Sequence, residues 1–446
     1  MPGPTSYFDP DHTDELDPRT ADLVRRRAAA LGSAYRLFYR EPLELVRGEG
    51  TRVWDRNGVE YLDVYNNVPS AGHAHPRIVA AIAEQAARLN THTRYLDEAT
   101  IVYAEDLLST FPRHLQNVMF TCTGSEANDL ALRIAKSATG NQGVIVTRNA
   151  YHGVTTEIAA ISPSLGGVDS LAPWVRMIDA PAPASSPGVD LSAQVAAAIA
   201  SLADAGIRPA ALIVDTIFAS DGVFPYAASL SAAVAAIHAA GGIFIADEVQ
   251  PGFGRLGRTD SRGSRDAGSR DTRSLWGFAR HGLEPDLVSL GKPMGNGHPI
   301  AGVVARRELV DAFAAHGRYF NTFGGNPVSI AAAQATLDVV RDEGLSEHAA
   351  RVGAQLLAAL RELDDPRMGE VRGAGLFLGI DLVDAAGHPD ESLALDLVNA
   401  LRERHILLAA SGPHNHTLKI RPPLVFGDAD ASRLVTELAA ALKEHP

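Results

Sequence analysis

Lys292 sits in the segment SLGKPMGNGHP, directly after the apolar run DLVSL, and Asp247 closes a second such run, GIFIAD. Runs of this kind read as strands of an α/β sheet, and such sheets bind ligands at the carboxyl ends of their strands. An amine and a carboxylate are therefore expected at one edge of one sheet. Gly124 and Ser125 fall between the run NVMFTC and the helical stretch SEANDLALRIAKSA. Backbone N–H groups and a hydroxyl placed there meet anions at a helix N-terminus. Tyr151, in NAYHG, adds an aromatic face. An amine that forms imines, a carboxylate that keeps a pyridine nitrogen protonated, a ring for stacking and a cradle for phosphate are what pyridoxal 5′-phosphate asks of a protein. A carboxylate on the ring nitrogen makes a charge-assisted hydrogen bond of about 1.5–3 kcal/mol and keeps the ring an electron sink. Each signal also has a plainer reading, since an aspartate after a strand is commonly a cap and Gly-Ser commonly only opens a helix. Nucleotide hydrolysis is not expected, because Pro293 follows Lys292 where a phosphate loop needs Ser or Thr.

The elements that must position these residues follow from periodicity. From about Asn117, short β-rich runs (NVMFTC, GVIVT, ALIVD, GIFIAD, DLVSL) alternate with alanine-rich helical stretches such as LSAAVAAIHAA. That alternation predicts an α/β fold, a large domain over 76–330 with a mostly parallel sheet covered by helices. After it come helical segments at about 326–343 and 345–362, the strand candidate GLFLGIDLV, a helix over ESLALDLVNALRER, and the strand candidates ILLAA and LKI. A last helix follows Gly427, with Asp428 as its N-cap. This second unit, 331–446, reads as a small α+β domain. Residues 1–75 form an N-terminal segment expected to pack on it, with a β-hairpin turning at Asn57-Gly58. The stretch Arg255 to Arg273, with six arginines against three aspartates and no apolar periodicity, reads as a solvated surface loop or as a lid over the site.

The chain of 446 residues exceeds the roughly 250–300 residues at which single cores stop growing, so two or three domain-sized units are expected. Forty Lys and Arg against 53 Asp and Glu give a net charge of −13, which argues against nucleic-acid or anionic-membrane partners. The acidic, proline-rich start does not read as a secretory signal, and no apolar run approaches the roughly 18 residues of a membrane span. Cys122 is the single cysteine, which permits no intrachain disulfide and suits a reducing, cytoplasmic location. The pairs His73/His75 and His414/His416 have alternate spacing on a strand, but no carboxylate or cysteine cluster accompanies them, and no metal is expected.

In order along the chain, FTCTGSEANDLALRIAK, NAYHG, IFIADEVQPGFGRLG, SLGKPMGNGHPIAGVV and NTFGGNP resemble the class III aminotransferases, fold type I pyridoxal-phosphate enzymes. The resemblance extends from about residue 35 to 440. It implies that Lys292 carries the cofactor as an imine, that Asp247 partners the pyridine nitrogen and that Tyr151 stacks on the ring. By the same carry-over Gly124 and Ser125 cradle the phosphate, His152 beside Tyr151 joins the cofactor set, and Val249 and Gln250 contact the cofactor's back face and 3′-oxygen. The threonine matching Thr322 reaches the phosphate of the neighbouring subunit's cofactor in this family, which implies a homodimer with shared active sites.

On the substrate side the chain departs from ordinary members. Lys419, in LKIRPP, stands where they place an arginine that grips an α-carboxylate, and a lysine is a point charge without that fork. Ser220, in DTIFAS, stands where many carry the glutamate that holds this arginine between half-reactions. Asn66 and Asn67 make polar a segment that is apolar or aromatic in amine aminotransferases. YRLFY, NNVPSAGHAHP, RGAGLFLGIDLV and LLAASGPHNHTLKIRPP are instead similar to the phospho-lyase branch, the ethanolamine-phosphate and phosphohydroxylysine phospho-lyases. That resemblance implies elimination of phosphate from O-phosphoethanolamine to acetaldehyde, ammonia and phosphate, with Arg36, Asn67 and Lys419 as substrate-binding residues. The other reading, an ω-amine or alanine–glyoxylate aminotransferase, shares the cofactor motifs and differs in needing a keto acid.

Overall fold

The computed structural model describes residues 7–166, 168–182, 188–257 and 275–445. The strand runs read from the sequence assemble into one seven-stranded sheet: β4 (Asn117–Thr121), β5 (Gly143–Thr147), β6 (Val175–Ile178), β7 (Pro209–Asp215), β8 (Ile243–Asp247), β9 (Leu287–Leu290) and β10 (Ala301–Ala305), in the order β4-β10-β9-β8-β7-β5-β6. Only β10 runs antiparallel to its neighbours. Strands β5, β8, β9 and β10 are buried along their whole length, as a parallel sheet covered on both faces requires, which is why they read as unbroken apolar runs rather than alternations. Because β7, β8 and β9 are parallel, Asp215, Asp247 and Leu290 end them at one edge, and Asp215 lies directly across from Asp247.

Two smaller sheets flank this layer. The N-terminal one joins β1 (Leu45–Glu49), β2 (Arg52–Asp55) and β3 (Glu60–Asp63), and the Asn57-Gly58 turn links the last two, Gly58 taking φ +81°. Asp55 stabilises that turn by accepting from the N–H groups of Asn57 and Val59. Strand β3 then pairs parallel with β13 (Ile406–Leu407). The C-terminal sheet is β11 (Met368–Ala374), β12 (Phe377–Leu382), β14 (Ala409–Ser411) and β15 (Thr417–Ile420), all antiparallel. Thus the run ILLAA, expected as one strand, splits at Leu408 between two sheets. The helices Pro327–Asp342 and Leu345–Arg361 lie where periodicity puts them, the first capped by Asn326, whose side chain accepts from the Ser329 N–H.

Two expectations are corrected. Helix Asp428–Glu444 is capped by Gly427, not Asp428; the Asp430 carboxylate accepts the Gly427 N–H, so the acid works from the first turn. Arg255 does not belong to a solvated loop. It is wholly buried, and its Nη1 donates to the carbonyls of Leu376 and Pro422, 3.0 and 2.6 Å away, clamping the ends of β11–β12 and β15 together. Composition misled there because a guanidinium can satisfy main-chain carbonyls as well as water. The rest of that stretch, 258–273, lies outside the described residues. Among the described residues no helix is long and apolar enough to cross a membrane.

Helix Leu345–Arg361 packs against the turn between β11 and β12 so closely that a Cβ on Gly353 would stand 1.9 Å from the carbonyl oxygen of Gly375. Main chain cannot yield as a side-chain tip does. Gly353→Ala is expected to destabilise the protein by about 1–3 kcal/mol, the usual range for overpacking; an unchanged thermal midpoint would contradict the close approach.

Candidate active site

The ends of β7, β8 and β9 open into a cavity of about 300 Å³ lined by Gly124, Ser125, Asn128, Tyr151, His152, Asp215, Asp247, Val249, Gln250 and Lys292, with Cys122, Thr123 and residues 297–300 completing the wall. The structure therefore gathers around one space every cofactor residue singled out in the sequence except Thr322. Lys292 opens a short 3₁₀ turn, Lys292–Gly295, two residues after β9. Asn296 closes that turn in the left-handed region (φ +49°) and its amide bonds Ala71 N–H at 2.7 Å and the Gly72 carbonyl at 2.9 Å. The lysine turn is thereby tied to the segment that carries Asn67.

Charge in the cavity is set by burial and by a few named neighbours. Burial alone would raise the Asp247 carboxyl, but a 2.7 Å hydrogen bond from His152 Nδ1, the histidine's charge, the Val249 N–H at 3.0 Å and the Asn128 amide at 2.9 Å together hold it below its ordinary value. A carboxylate so held stays anionic while it contacts a cationic ring nitrogen. Burial lowers the Lys292 amine to about 8, Arg421 pushing the same way and Asp247 and Asp215 opposing. Asp215 itself rises to about 6, through burial and then the neighbouring Asp247. Sequence reasoning misses Asp215 and Asn128. The first carries the same signal as Asp247, an aspartate closing an apolar run; the second does not, since only the helix's docking on the sheet brings it to Asp247.

Helix Gly124–Thr139 begins one residue earlier than the SEAND motif suggests, with Thr123 as N-cap in a capping box: Thr123 Oγ1 accepts the Glu126 N–H, and the Glu126 carboxylate accepts the Thr123 N–H. Gly124 and Ser125 are therefore in the first turn, at the positive end of a 16-residue helix. A Cβ on Gly124 would touch Val249 at 3.0 Å. Ser125 Oγ accepts the Val154 N–H, which leaves its own proton for another acceptor. Tyr151 stands at the mouth, 37% exposed.

The substrate-side candidates separate. Asn66 is consumed by the fold, its N–H and side-chain amide both bonding Asp63. Asn67 is buried and its Nδ2 has no partner. Lys419 is buried on β15, where burial first and Arg421 second press its amine well below the ordinary lysine range, with Asp215 and Asp221 opposing. Arg36 lies outside this group, exposed, 5.6 Å over the ring of Tyr7. Thr322 does not line the cavity of its own chain; it is exposed on the loop with Phe320 and Phe323. The histidine pairs are spoken for elsewhere, His73 by Asp63 and His75 by Glu343, while His416 lies near Asp381. Among the described residues no group of three His, Cys, Asp or Glu could hold a metal ion.

A lysine at a strand end facing a carboxylate across a cavity, with a helix N-terminus on a third side, defines a fold type I pyridoxal-phosphate enzyme. The chain belongs to the class III aminotransferase family, whose pattern it matches over residues 39–442, and its cofactor is pyridoxal 5′-phosphate. It is 36% identical, over 93% of its length and 85% of the relative's, to a Drosophila melanogaster protein named alanine–glyoxylate aminotransferase 2-like. It is 35% identical, over 94% and 93%, to ethanolamine-phosphate phospho-lyase homolog 1 of Caenorhabditis elegans. The structure of a phospholyase from Arthrobacter in complex with phosphoethanolamine superimposes with a TM-score of 0.89, at 42% identity, covering 95% of this chain and all of that one. The residues of the cavity fit the cofactor: an amine brought toward neutrality, a carboxylate held ionised, and a glycine-opened helix with a free serine proton.

An amine must lose its proton to form an imine, so capture of added cofactor through Lys292 is expected to quicken as pH rises through about 8. Asp215 is ionised at that pH and favours the ammonium, so Asp215→Asn should move the profile to lower pH. Visible absorbance of the bound cofactor reads both; a profile centred above about 10, the range of an unperturbed lysine, in both proteins would contradict these electrostatics.

Proposed function

We propose that this enzyme is a phospho-lyase that eliminates phosphate from O-phosphoethanolamine, giving acetaldehyde, ammonia and inorganic phosphate. The observation that carries this reading is Lys419, a buried amine on β15 where an α-carboxylate fork stands in aminotransferases, together with the buried and unpartnered Asn67 amide. A buried donor without an acceptor is costly, and a dianionic group is an acceptor that would relieve it. Ser220, offering no carboxylate, also supports a site that does not alternate between two substrates. The likeness to the Arthrobacter phospholyase points the same way. An aminotransferase is the second reading, supported by the name of the Drosophila relative.

Bound pyridoxal 5′-phosphate supplies an electron sink for the carbon that bears the substrate's nitrogen. Asp247, kept anionic by His152 and Asn128, would hold the ring nitrogen's proton, with Tyr151 and Val249 as the side chains that would contact the ring. Gly124 and Ser125 would hold the cofactor phosphate at the helix N-terminus, and Gln250 would contact the 3′-oxygen. Lys292, anchored by Asn296, removes the proton from the nitrogen-bearing carbon. The C–O bond on the adjacent carbon breaks with its electron pair going to phosphate, whose charge Asn67 and Lys419 hold. Holding the leaving group favours elimination over return of the proton. Water then hydrolyses the released enamine to acetaldehyde and ammonium.

The holoenzyme should release phosphate and acetaldehyde in equal amounts over many turnovers with no keto acid present, and Lys292→Ala should release neither. Turnover that depends on pyruvate or glyoxylate would return the protein to the aminotransferases. Asn67→Ala and Lys419→Ala are each expected to raise KM for the phosphorylated amine about 10-fold or more, the value of one charge-assisted hydrogen bond; unchanged kinetics would remove those two residues from the site.

We further infer a homodimer in which Thr322 serves the partner's cofactor. His92 stacks on Tyr95 and meets Phe320 edge-on, Arg94 lies 3.8 Å over Phe320, and Tyr95, Leu96 and Phe323 are 67, 98 and 67% exposed. So much apolar surface gathered on one face is uncommon in a monomer. Leu96→Glu combined with Phe323→Glu should yield monomers by sedimentation with weakened cofactor retention; a wild-type monomer that retains full activity would overturn the shared site.

A further inference from the structure

Arg421 sits inside the proline motif KIRPP and matches no cofactor position, so its place in the sequence gives it no signal of its own. The structure gives it an uncommon setting. It lies two residues after Lys419, just past the end of β15, and its charge bears on the Lys419 amine. Its N–H bonds the Val64 carbonyl at 2.9 Å, three residues before Asn67, and its guanidinium lies 4.4 Å from the centre of the Tyr65 ring. It is only 7% exposed, yet among the described residues no carboxylate lies within ion-pair distance of it. Nη1 donates to the Gln250 side-chain oxygen. Nε is fully buried and has no partner.

The pattern of used and unused donors is specific. Nε and Nη2 lie along one edge of a guanidinium, and that edge is the one that meets two oxygens of an anion side by side. Arg19 fills the same edge with Glu44 and Arg367 with Asp365, while Arg255, buried near Arg421, has neither atom partnered. In Arg421, Gln250 occupies the opposite nitrogen and the two-pronged edge is left over. Arg421 Nε and the Asn67 amide are buried without acceptors, and Arg421 and Lys419 both bear on Lys292, whose proton affinity Arg421 depresses. Arg36 shows none of this, since it is exposed and stacked on Tyr7.

We propose that Arg421, not Arg36, is the arginine that grips the substrate's phosphate, through its Nε–Nη2 edge and together with Lys419 and Asn67. This inference rests on the phospho-lyase reading. Gln250 follows from it: with its oxygen turned to Arg421, its amide nitrogen is directed the other way, to the cavity it lines. The anion's arrival and the cofactor's 3′-oxygen are therefore connected through one side chain. An anion on this edge also offsets the repulsion between Arg421 and Lys419, so its binding should draw a proton onto the lysine.

The test compares Arg421→Lys, Arg421→Gln and Arg36→Ala holoenzymes for KM and kcat on O-phosphoethanolamine and for competitive inhibition by inorganic phosphate. Cofactor absorbance and thermal midpoint monitor integrity, and the lysine variant keeps the charge if the glutamine variant does not fold. Both Arg421 variants should raise KM and the phosphate inhibition constant about 10- to 100-fold, since a lysine cannot replace the fork, while Arg36→Ala changes either by less than about 3-fold. Unchanged constants in a folded Arg421 variant, or a large rise in Arg36→Ala, would overturn the assignment. If the wild type releases no phosphate, it is the phospho-lyase reading that fails; if the wild type releases it and the Arg421 variants match it, only this inference does.

Discussion

The Lys292 amine is half-buried between Arg421 and a pair of aspartates. Burial and Arg421 press it toward neutrality, while Asp247 and Asp215 restrain the shift, and the balance leaves it near 8. Everything around the cavity keeps that balance in place. The parallel pairing of β7 with β8 sets the two aspartates side by side, and Asn296 ties the lysine turn to the segment bearing Asn67. His152 and Asn128 in turn keep Asp247 ionised despite its burial. A lysine left at its ordinary proton affinity would be a poor nucleophile and a poor base near neutrality. One buried far from carboxylates would not accept the proton it must remove.

Two sheets and a helix contribute different kinds of group around Lys292. The seven-stranded sheet supplies the carboxylates and the lysine, its covering helix supplies an N-terminus, and the C-terminal sheet supplies Lys419 on β15 with Arg421 just beyond its end. Arg255, buried at the junction, holds the carbonyls of Leu376 and Pro422 and so fixes the turn from which Arg421 emerges. Lys419 is thus carried on a strand and Arg421 directly after it.

Much of this is legible in the sequence because it is local. A strand end, a glycine-opened helix and an aromatic beside a histidine are short motifs, and Lys292, Asp247, Gly124, Ser125 and Tyr151 follow from them; the mostly parallel α/β fold follows from the alternation of apolar runs. What cannot be read depends on pairing across the fold. Asn128 reaches Asp247 only when the helix docks, ILLAA divides between two sheets because Leu408 bridges them, and Arg255 looks solvated until β12 and β15 give it carbonyls to bond. Arg421 is the sharpest instance. Its residue type is in plain view, but its meaning lies in which of its nitrogens lack partners.

The most direct measurement follows the cofactor's visible absorbance when the holoenzyme is mixed with a modest excess of O-phosphoethanolamine and no keto acid. The band should change while substrate lasts and then return fully, because elimination restores the cofactor to Lys292. A band that fades once and stays lost, with no phosphate in solution, would mean that the amine had been transferred to the cofactor, and would contradict elimination at this site.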